Sequence, residues 1–203
     1  MSTFFYLASQ SPRRRQILDE LGAQYKILDL EEGSGDSSDF DETPLANEIA
    51  VDYVRRVSLL KARAGWAQVL TLSLDPSPVL SADTTVVLDD LILGKPESRD
   101  HAIEMLEGLQ NRSHKVHTCV TVKYQSREEQ ALSTTEVTLA SLSQSDIVKY
   151  VDSGEPFGKA GSYGIQGRAG LFVQKIEGSY TGVVGLPIYE TAELLKRFDY
   201  DLL

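Results

Sequence analysis

Apolar and polar positions alternate along this chain in two rhythms, one strand-like and one helical, and turn residues mark each change. Residues 4–8 form a short apolar run that predicts a strand. A polar turn follows, then a helix with Ser11 as N-cap and Pro12 as its first residue, where the missing N–H of proline costs nothing. Ile17, Leu18 and Leu21 recur at helical spacing and Gly22 stops the helix. Residues 25–30 predict a second short strand, and 31–43, rich in Gly, Ser and Asp, an exposed loop. A long helix is predicted over 48–70, with Val51, Val54, Val57, Leu60 and Ala64 on one face. Residues 71–78 read as a loop, and 79–93 as a hairpin turning at Asp89-Asp90 and closed by Gly94-Lys95-Pro96. A helix over 99–109 precedes β-rich runs at 114–124 and 134–142. Ser143 opens a further helix with Asp146 three residues on, and Gly154 ends it. A glycine-rich tract over 158–170 leads to a strand at 171–176, a turn at Gly178-Ser179, then Val183-Val184. Pro187 opens a final helix to Phe198. With no repeat, heptad or linker, the interleaving predicts one domain over 1–203, an α/β or α+β fold with a mixed sheet.

Charge narrows the partners. The chain has 203 residues, with 20 Lys+Arg against 30 Asp+Glu and a net charge of −10. That balance disfavours nucleic-acid polymers, whose binding rests on neutralising many phosphates, and anionic membrane surfaces. It is also unevenly spread. Residues 28–42 hold seven acids (Asp29, Glu31, Glu32, Asp36, Asp39, Asp41 and Glu42) and no base, so one stretch carries most of the excess. No apolar run reaches the ~18 residues that span a bilayer. The apolar patch near the N-terminus precedes the basic cluster, the reverse of a secretory signal. The single cysteine, Cys119, cannot form an internal disulfide and reads as a buried thiol in a β-rich run. The expected location is cytoplasmic.

Two segments invite chemistry. Ser9-Gln10-Ser11-Pro12-Arg13-Arg14-Arg15 joins a strand to a helix N-terminus, where free N–H groups, hydroxyls and guanidiniums suit a phosphate; an ordinary capped helix with a solvated basic turn is the alternative. Asp83, in Ser81-Ala82-Asp83-Thr84-Thr85, is a carboxylate in an otherwise buried strand. It reads as a metal ligand, a general base, or a strand-end residue bonded to backbone amides. Lys61 and Lys95 are each weak signals alone. The tract over 158–170, with Lys159, Tyr163 and Gln166, lets backbone approach a ligand or simply makes tight turns. It holds neither a Walker pattern nor G-x-G-x-x-G. His114 and His117 fall on opposite strand faces and, with His101, lack zinc spacing; no G-x-S-x-G elbow is present.

Taken in order, the S-x-S-P-R-R opening, the D-E pair before a long helix with K-A, and the A-D-T…G-K-P hairpin form one pattern with the late K-A-G-x-Y-G-I-Q-G…V-x-K-I-x-G-S-Y-x-x-V-V-G-L-P block. This resembles the Maf family of nucleoside triphosphate pyrophosphatases over nearly the whole chain. The resemblance implies hydrolysis between the α and β phosphates, and an α/β fold with an elongated mixed sheet flanked by helices, two lobes enclosing a central cleft. It also implies a divalent metal, Mg²⁺ or Mn²⁺, and a homodimer. Arg14, Thr84 and Gln166 match the subgroup acting on dTTP and UTP; the subgroup acting on 7-methyl-GTP carries Trp-Arg, Gln and Glu around these positions. Carried over residue by residue, Ser9, Arg13, Arg14, Lys61, Thr84, Lys95 and Gln166 bind substrate. Asp83 is the proton acceptor, as base, metal ligand or both, and Glu42 shares the metal. The amide of Gln166 can pair with a pyrimidine edge. The acidic insertion over 31–39 is longer than the family shows, which leaves Glu31 and Glu32 as competitors for the place of Glu42. Arg15 is expected on the outer helix face with no site role. The competing reading is a nucleotide-sensing regulator acting in cell division arrest, since the same pocket would serve.

Overall fold

A computed structural model describes residues 4–30 and 42–202; the predicted insertion over 31–39 lies outside them. The chain runs β1 (Phe5–Leu7), α1 (Pro12–Glu20), β2 (Tyr25–Ile27), α2 (Ala50–Thr71), β3 (Val79–Leu88), β4 (Leu91–Leu93), α3 (Arg99–Leu109), β5 (Ser113–Tyr124), β6 (Arg127–Leu139), α4 (Gln144–Asp152), β7 (Val173–Glu177), α5 (Tyr180–Val184) and α6 (Ile188–Lys196). Two 3₁₀ turns, Ala160–Ser162 and Arg168–Phe172, lie between α4 and β7. The strands form one seven-stranded sheet in the order β2-β1-β3-β5-β6-β7, with β4 added beside β3. β1 is parallel to β2 and β3, and the other pairs are antiparallel, so the sheet is mixed as expected. No helix among the described residues is long and apolar enough to cross a membrane.

The feature that positions everything else is a split in this sheet. On one edge, β3 pairs with β5 from Val79 to Val87. On the other edge it pairs with β1 only at Val79 and Leu80, and with β4 only from Val86 to Leu88. Among the described residues, the stretch 81–85 therefore has no strand on that side. β1 is parallel to β3 and β4 antiparallel to it, so both release the chain into this gap, β1 after Leu7 and β4 after Leu93. The sheet is thereby divided into two arms, the lobes of the fold, around a cleft floored by Asp83, Thr84 and Thr85.

Both faces of β3 and of the middle of β5 are buried, polar positions included. The main core joins Leu80, Ala82, Val116, Val120 and Val122 to Leu106, Leu109, Ile147, Leu194 and Leu195 of the helices. The opposite face packs Val79, Tyr6 and Ala8 under Trp66 and Val69 of α2. α2 approaches closely at Gly65, where a Cβ would stand 2.9 Å from both Ala8 Cβ and Val79 Cγ1. Lys61, one turn earlier, is carried over the sheet by the same close contact.

The structure departs from the expected elements in four places. The buried face of α2 is Val54, Val57, Ser58, Ala62, Gly65, Trp66 and Val69, while Val51, Leu60 and Ala64 stay partly exposed. Helical periodicity favoured the larger aliphatics, but Ser58 belongs inside because it bonds Thr121 (2.7 Å) and its carbonyl accepts from Ser81 (2.7 Å). β6 starts at Arg127 instead of 134. Its polar opening pairs with β5 through a tight turn at Gln125, and Glu128 is held by Arg63 and Lys123. β2 stops at Ile27 rather than reaching residue 30, and β7 begins at Val173 because Leu171 and Phe172 complete a 3₁₀ turn.

Candidate active site

β1 delivers Ser9 to the gap, with Ala8 N–H bonded to the Leu80 carbonyl (2.8 Å). Ser11 takes the N-cap position before Pro12 but makes no side-chain capping bond, so α1 keeps unsatisfied N–H groups facing the cleft. Arg14 is buried. It donates from Nε to the Gly185 carbonyl (2.8 Å), from one terminal nitrogen to Ser9 Oγ (2.9 Å), and from the other to Thr84 Oγ1 (3.3 Å). These bonds tie α1, β3 and the α5–α6 junction together. Gly185 is needed at this junction because its φ of 124° is a conformation that L side chains rarely adopt. Arg13 is different. It is half-buried on the cleft wall with no hydrogen bond or ion pair to a described residue, and desolvation lowers its pKa. Arg15 stays out of the cleft and bonds the Gln10 carbonyl (2.8 Å).

Asp83 and Thr84 are neighbours in a strand and point to opposite faces. Both still line the cleft, because the edge of β3 is open there. Asp83 is 7% exposed and receives Lys61 Nζ at 2.7 Å; the same ammonium lies 3.0 Å from Glu42 Oε1. Burial pushes the Asp83 carboxyl above its usual range, and the charges of Lys61 and Arg14 oppose that rise only in part. Tyr53, on α2 beside this cluster, has its hydroxyl pKa raised by desolvation and by the Asp83 and Glu42 charges. Thr84, on the other face, lies within 2.9 Å of Thr118 Oγ1 as well as in reach of Arg14.

From the other arm come Lys95, exposed at the end of β4, and the glycine-rich tract. Gly161 N–H bonds the Gly94 carbonyl (3.1 Å), and a Cβ on Gly161 would sit 2.9 Å from Val86. The tract therefore lies directly on β3. It places Lys159, Tyr163 and Gln166 along the cleft, with Gln166 exposed at the rim. Lys159 Nζ bonds the Glu155 carbonyl, and burial together with the Arg13 charge lowers its pKa. Tyr163 is pinned by His114 Nε2 (2.7 Å), whose burial drops the imidazole pKa to about 4.

Ser9, Arg13, Arg14, Glu42, Lys61, Asp83, Thr84, Lys95 and Gln166 thus all line one cleft of about 470 Å³, a size suited to a small-molecule ligand. Lys159, Tyr53 and Tyr163 line it too. Lys159 and Tyr163 enter the sequence reading only as members of the glycine-rich tract, and Tyr53 carries no sequence signal. As donors for a cation, Glu42 and Asp83 with nearby hydroxyls are hard oxygen ligands. They suit Mg²⁺ or Mn²⁺ completed by substrate phosphates and water. Among the described residues no cluster of three His, Cys, Asp or Glu side chains is present.

A family model described as Maf-like protein matches residues 4–198. The curated dTTP/UTP pyrophosphatase of Nitrosomonas europaea is 48% identical over 192 residues, covering 95% of this chain and 93% of that protein. The dTTP/UTP pyrophosphatase of Chromobacterium violaceum is 48% identical over 200 residues, covering 98% and 97% of the two chains. That of Bordetella pertussis is 49% identical over 191 residues, covering 94% and 90%. The solved Staphylococcus aureus Ham1 protein is a remote likeness, 14% identical with a TM-score of 0.45 over 67% of this chain and 71% of that one, too weak to bear on fold or function. With a family model spanning nearly its full length and relatives near half identity from end to end, the chain belongs to the Maf family.

Proposed function

We propose that this chain is a nucleoside triphosphate pyrophosphatase that hydrolyses dTTP and UTP to the monophosphate and pyrophosphate. The observation that carries the reading is the split-sheet cleft, where a buried carboxylate, Asp83, stands among five cations of an otherwise acidic protein. Relatives near 48% identity bearing that activity in their names support the substrate class.

In this reading Arg13, Lys95 and Lys159, with the free N–H groups of α1, take the phosphate oxygens. Arg14 shapes their wall through its bonds to Ser9, Thr84 and Gly185. Asp83 accepts a proton from the attacking water. The oxygen of that water bonds to the α-phosphorus, the bond from that phosphorus to the bridging oxygen breaks, and pyrophosphate leaves. Lys61 holds Asp83 and Glu42 at a fixed separation from the reacting atoms. Asp83 and Glu42 would hold a divalent cation, which lowers the pKa of bound water and offsets phosphate charge. Gln166 offers its amide to the base edge. The protein acts as a cytoplasmic homodimer on this small nucleotide, and not on a nucleic-acid polymer or a membrane. The free, buried Cys119 suits a reducing compartment.

The test is a nucleotide panel with Mg²⁺ or Mn²⁺, scored for pyrophosphate against orthophosphate. Pyrophosphate from UTP and dTTP is expected. Release of orthophosphate alone overturns cleavage at the α–β bond, and binding without turnover makes the protein a sensor.

A further inference from the structure

α4 ends at Asp152, and the chain turns at Gly154 (φ 77°) into the half-buried Glu155. The backbone is fixed there, because Glu155 N–H bonds Ser153 Oγ (3.3 Å), whose hydroxyl bonds the Tyr150 carbonyl (2.6 Å). The Glu155 carboxylate then meets three donors. The Tyr150 hydroxyl bonds Oε1 (3.2 Å), Arg168 N–H bonds Oε2 (3.1 Å), and Ala169 N–H reaches Oε1 at 3.5 Å. These two amides open the second 3₁₀ turn, where no earlier carbonyl of the turn can serve them. Having given its proton to Glu155, Tyr150 accepts Gly164 N–H on its oxygen (3.3 Å). Its ring packs edge-on against Phe172, with 5.2 Å between centroids. One carboxylate thus holds the chain on both sides of a turn that Gly167 N–H closes onto the Gly164 carbonyl (2.9 Å). Gly167 leaves room for it, since a Cβ there would overlap the carboxylate. Gln166 sits inside this turn and lines the cleft, whereas Glu155 is not part of the lining.

We propose that Glu155 is a positioning residue for substrate binding: through Tyr150 and the amides of Arg168 and Ala169 it sets the turn that carries Gln166 into the cleft. This rests on the nucleotide reading above. Every group facing the carboxylate is a donor, so the place calls for a side chain that only accepts. An amide of the same shape turns its NH₂ on one of those donors and leaves that donor unpaired. Asp83, Lys61 and Glu42 are bonded to one another and stand on other parts of the chain. Loss of the Glu155 carboxylate therefore disturbs how the nucleotide is held, and leaves the proton transfer at Asp83 in place.

Glu155→Gln keeps the shape and turns one acceptor into a donor. KM for UTP is expected to rise about fivefold, on the order of one hydrogen bond, with kcat within about twofold of wild type. A merely structural role would remove folded molecules and lower kcat at constant KM. In a Gln166→Ala background the same change is expected to leave KM within about twofold, because its effect passes through Gln166. Tyr150→Phe keeps the ring on Phe172 and cuts only the Gly164 arm, so it should raise KM about threefold. It takes the place of Glu155→Gln if that variant does not fold. Amide hydrogen exchange followed by NMR gives a readout apart from activity. Arg168 and Ala169 are expected to exchange about tenfold faster in Glu155→Gln, with the amides of α4 unchanged. Unchanged KM overturns the inference, as does an equal rise in the wild-type and Gln166→Ala backgrounds. So does unchanged exchange at Arg168 and Ala169. Wild-type protein that turns over no nucleotide strikes the functional reading instead, and the exchange result then decides the anchoring by itself.

Discussion

Replacing Asp83 by Asn separates chemistry from stability at the centre of the cleft. The substitution keeps the shape and removes one negative charge and the proton acceptor. A positioned general base contributes roughly 10²- to 10⁴-fold, so kcat for UTP is expected to fall at least 100-fold. The effect on stability is smaller than the burial of Asp83 suggests. Stripping one partner from a buried ion pair costs about 3–5 kcal/mol when the other charge is left alone. Here Lys61 keeps Glu42 at 3.0 Å, and that carboxylate is only one-third exposed. Burial also disfavours the ionised form of Asp83, as the raised pKa shows, and an amide carries no such penalty. The net loss is expected to be about 1–2 kcal/mol, a fall in Tm of about 2–8 °C for a chain of this size. Circular-dichroism melting and release of pyrophosphate, coupled to an inorganic pyrophosphatase, measure the two effects. The further change Glu42→Gln in this variant leaves Lys61 uncompensated, and a larger drop in Tm is expected than the two single changes sum to. A folded Asp83→Asn protein retaining more than a tenth of wild-type kcat would remove Asp83 from the chemistry. An additive Glu42→Gln effect would show that Lys61 is not shared.

Other outcomes follow from the same geometry. Lys159→Met keeps the stem beside Gly164 and removes the ammonium. It should raise KM for UTP about tenfold, on the order of one charge-assisted bond, with kcat within about threefold; an unchanged KM would relegate Lys159 to structure. His114 is neutral in the fold, with its pKa lowered to about 4 from an ordinary 6.5. The unfolded chain takes up its proton first, so this contribution is complete above pH 6.5 and is lost as pH falls through 4. Urea unfolding at pH 7 and pH 4.5 should show wild type losing about 2–3 kcal/mol that His114→Phe does not lose; equal losses would contradict the buried neutral imidazole. Gly161→Ala would force a Cβ against Val86 at a left-handed φ of 68°. It should cost about 1–3 kcal/mol and raise KM by displacing the tract, and a wild-type melt would refute the close contact.

How far this could be read beforehand depends on how local each signal is. α3 matches its expected bounds of 99–109 residue for residue, because Ser98 caps it and its apolar spacing is regular. The β3–β4 hairpin turns at Asp89-Asp90, both at positive φ, as the dipeptide suggests. Where tertiary partners decide, local pattern misleads. Ser58 is inside α2 because Thr121 and Ser81 lie opposite, and Arg127 to Gln130 join β6 because β5 extends far enough to pair them. The site divides in the same way. Ser9, Arg13 and Arg14 could be placed on a helix N-terminus from sequence. That Arg14 spends its donors on Gly185 and Thr84, 171 and 70 residues away, could not. Nor could the proximity of Lys159 to Arg13, which arises only when Gly161 settles on Val86.

That division changes what the basic residues are for. Five cations line the cleft with two carboxylates, Asp83 and Glu42, among the described residues. Lys61 is committed to the carboxylates and Arg14 to backbone and hydroxyl oxygens. Among the described residues, Arg13 and Lys95 have no such partner, and Lys159 bonds the Glu155 carbonyl. Burial, and after it the charge of Arg13, lowers the pKa of Lys159, and an anion entering between the two cations offsets both effects. A nucleoside triphosphate brings about four negative charges, against these three cations. The shortfall of about one charge, beside two oxygen-donor carboxylates, gives the proposed divalent cation an electrostatic reason to arrive with the substrate.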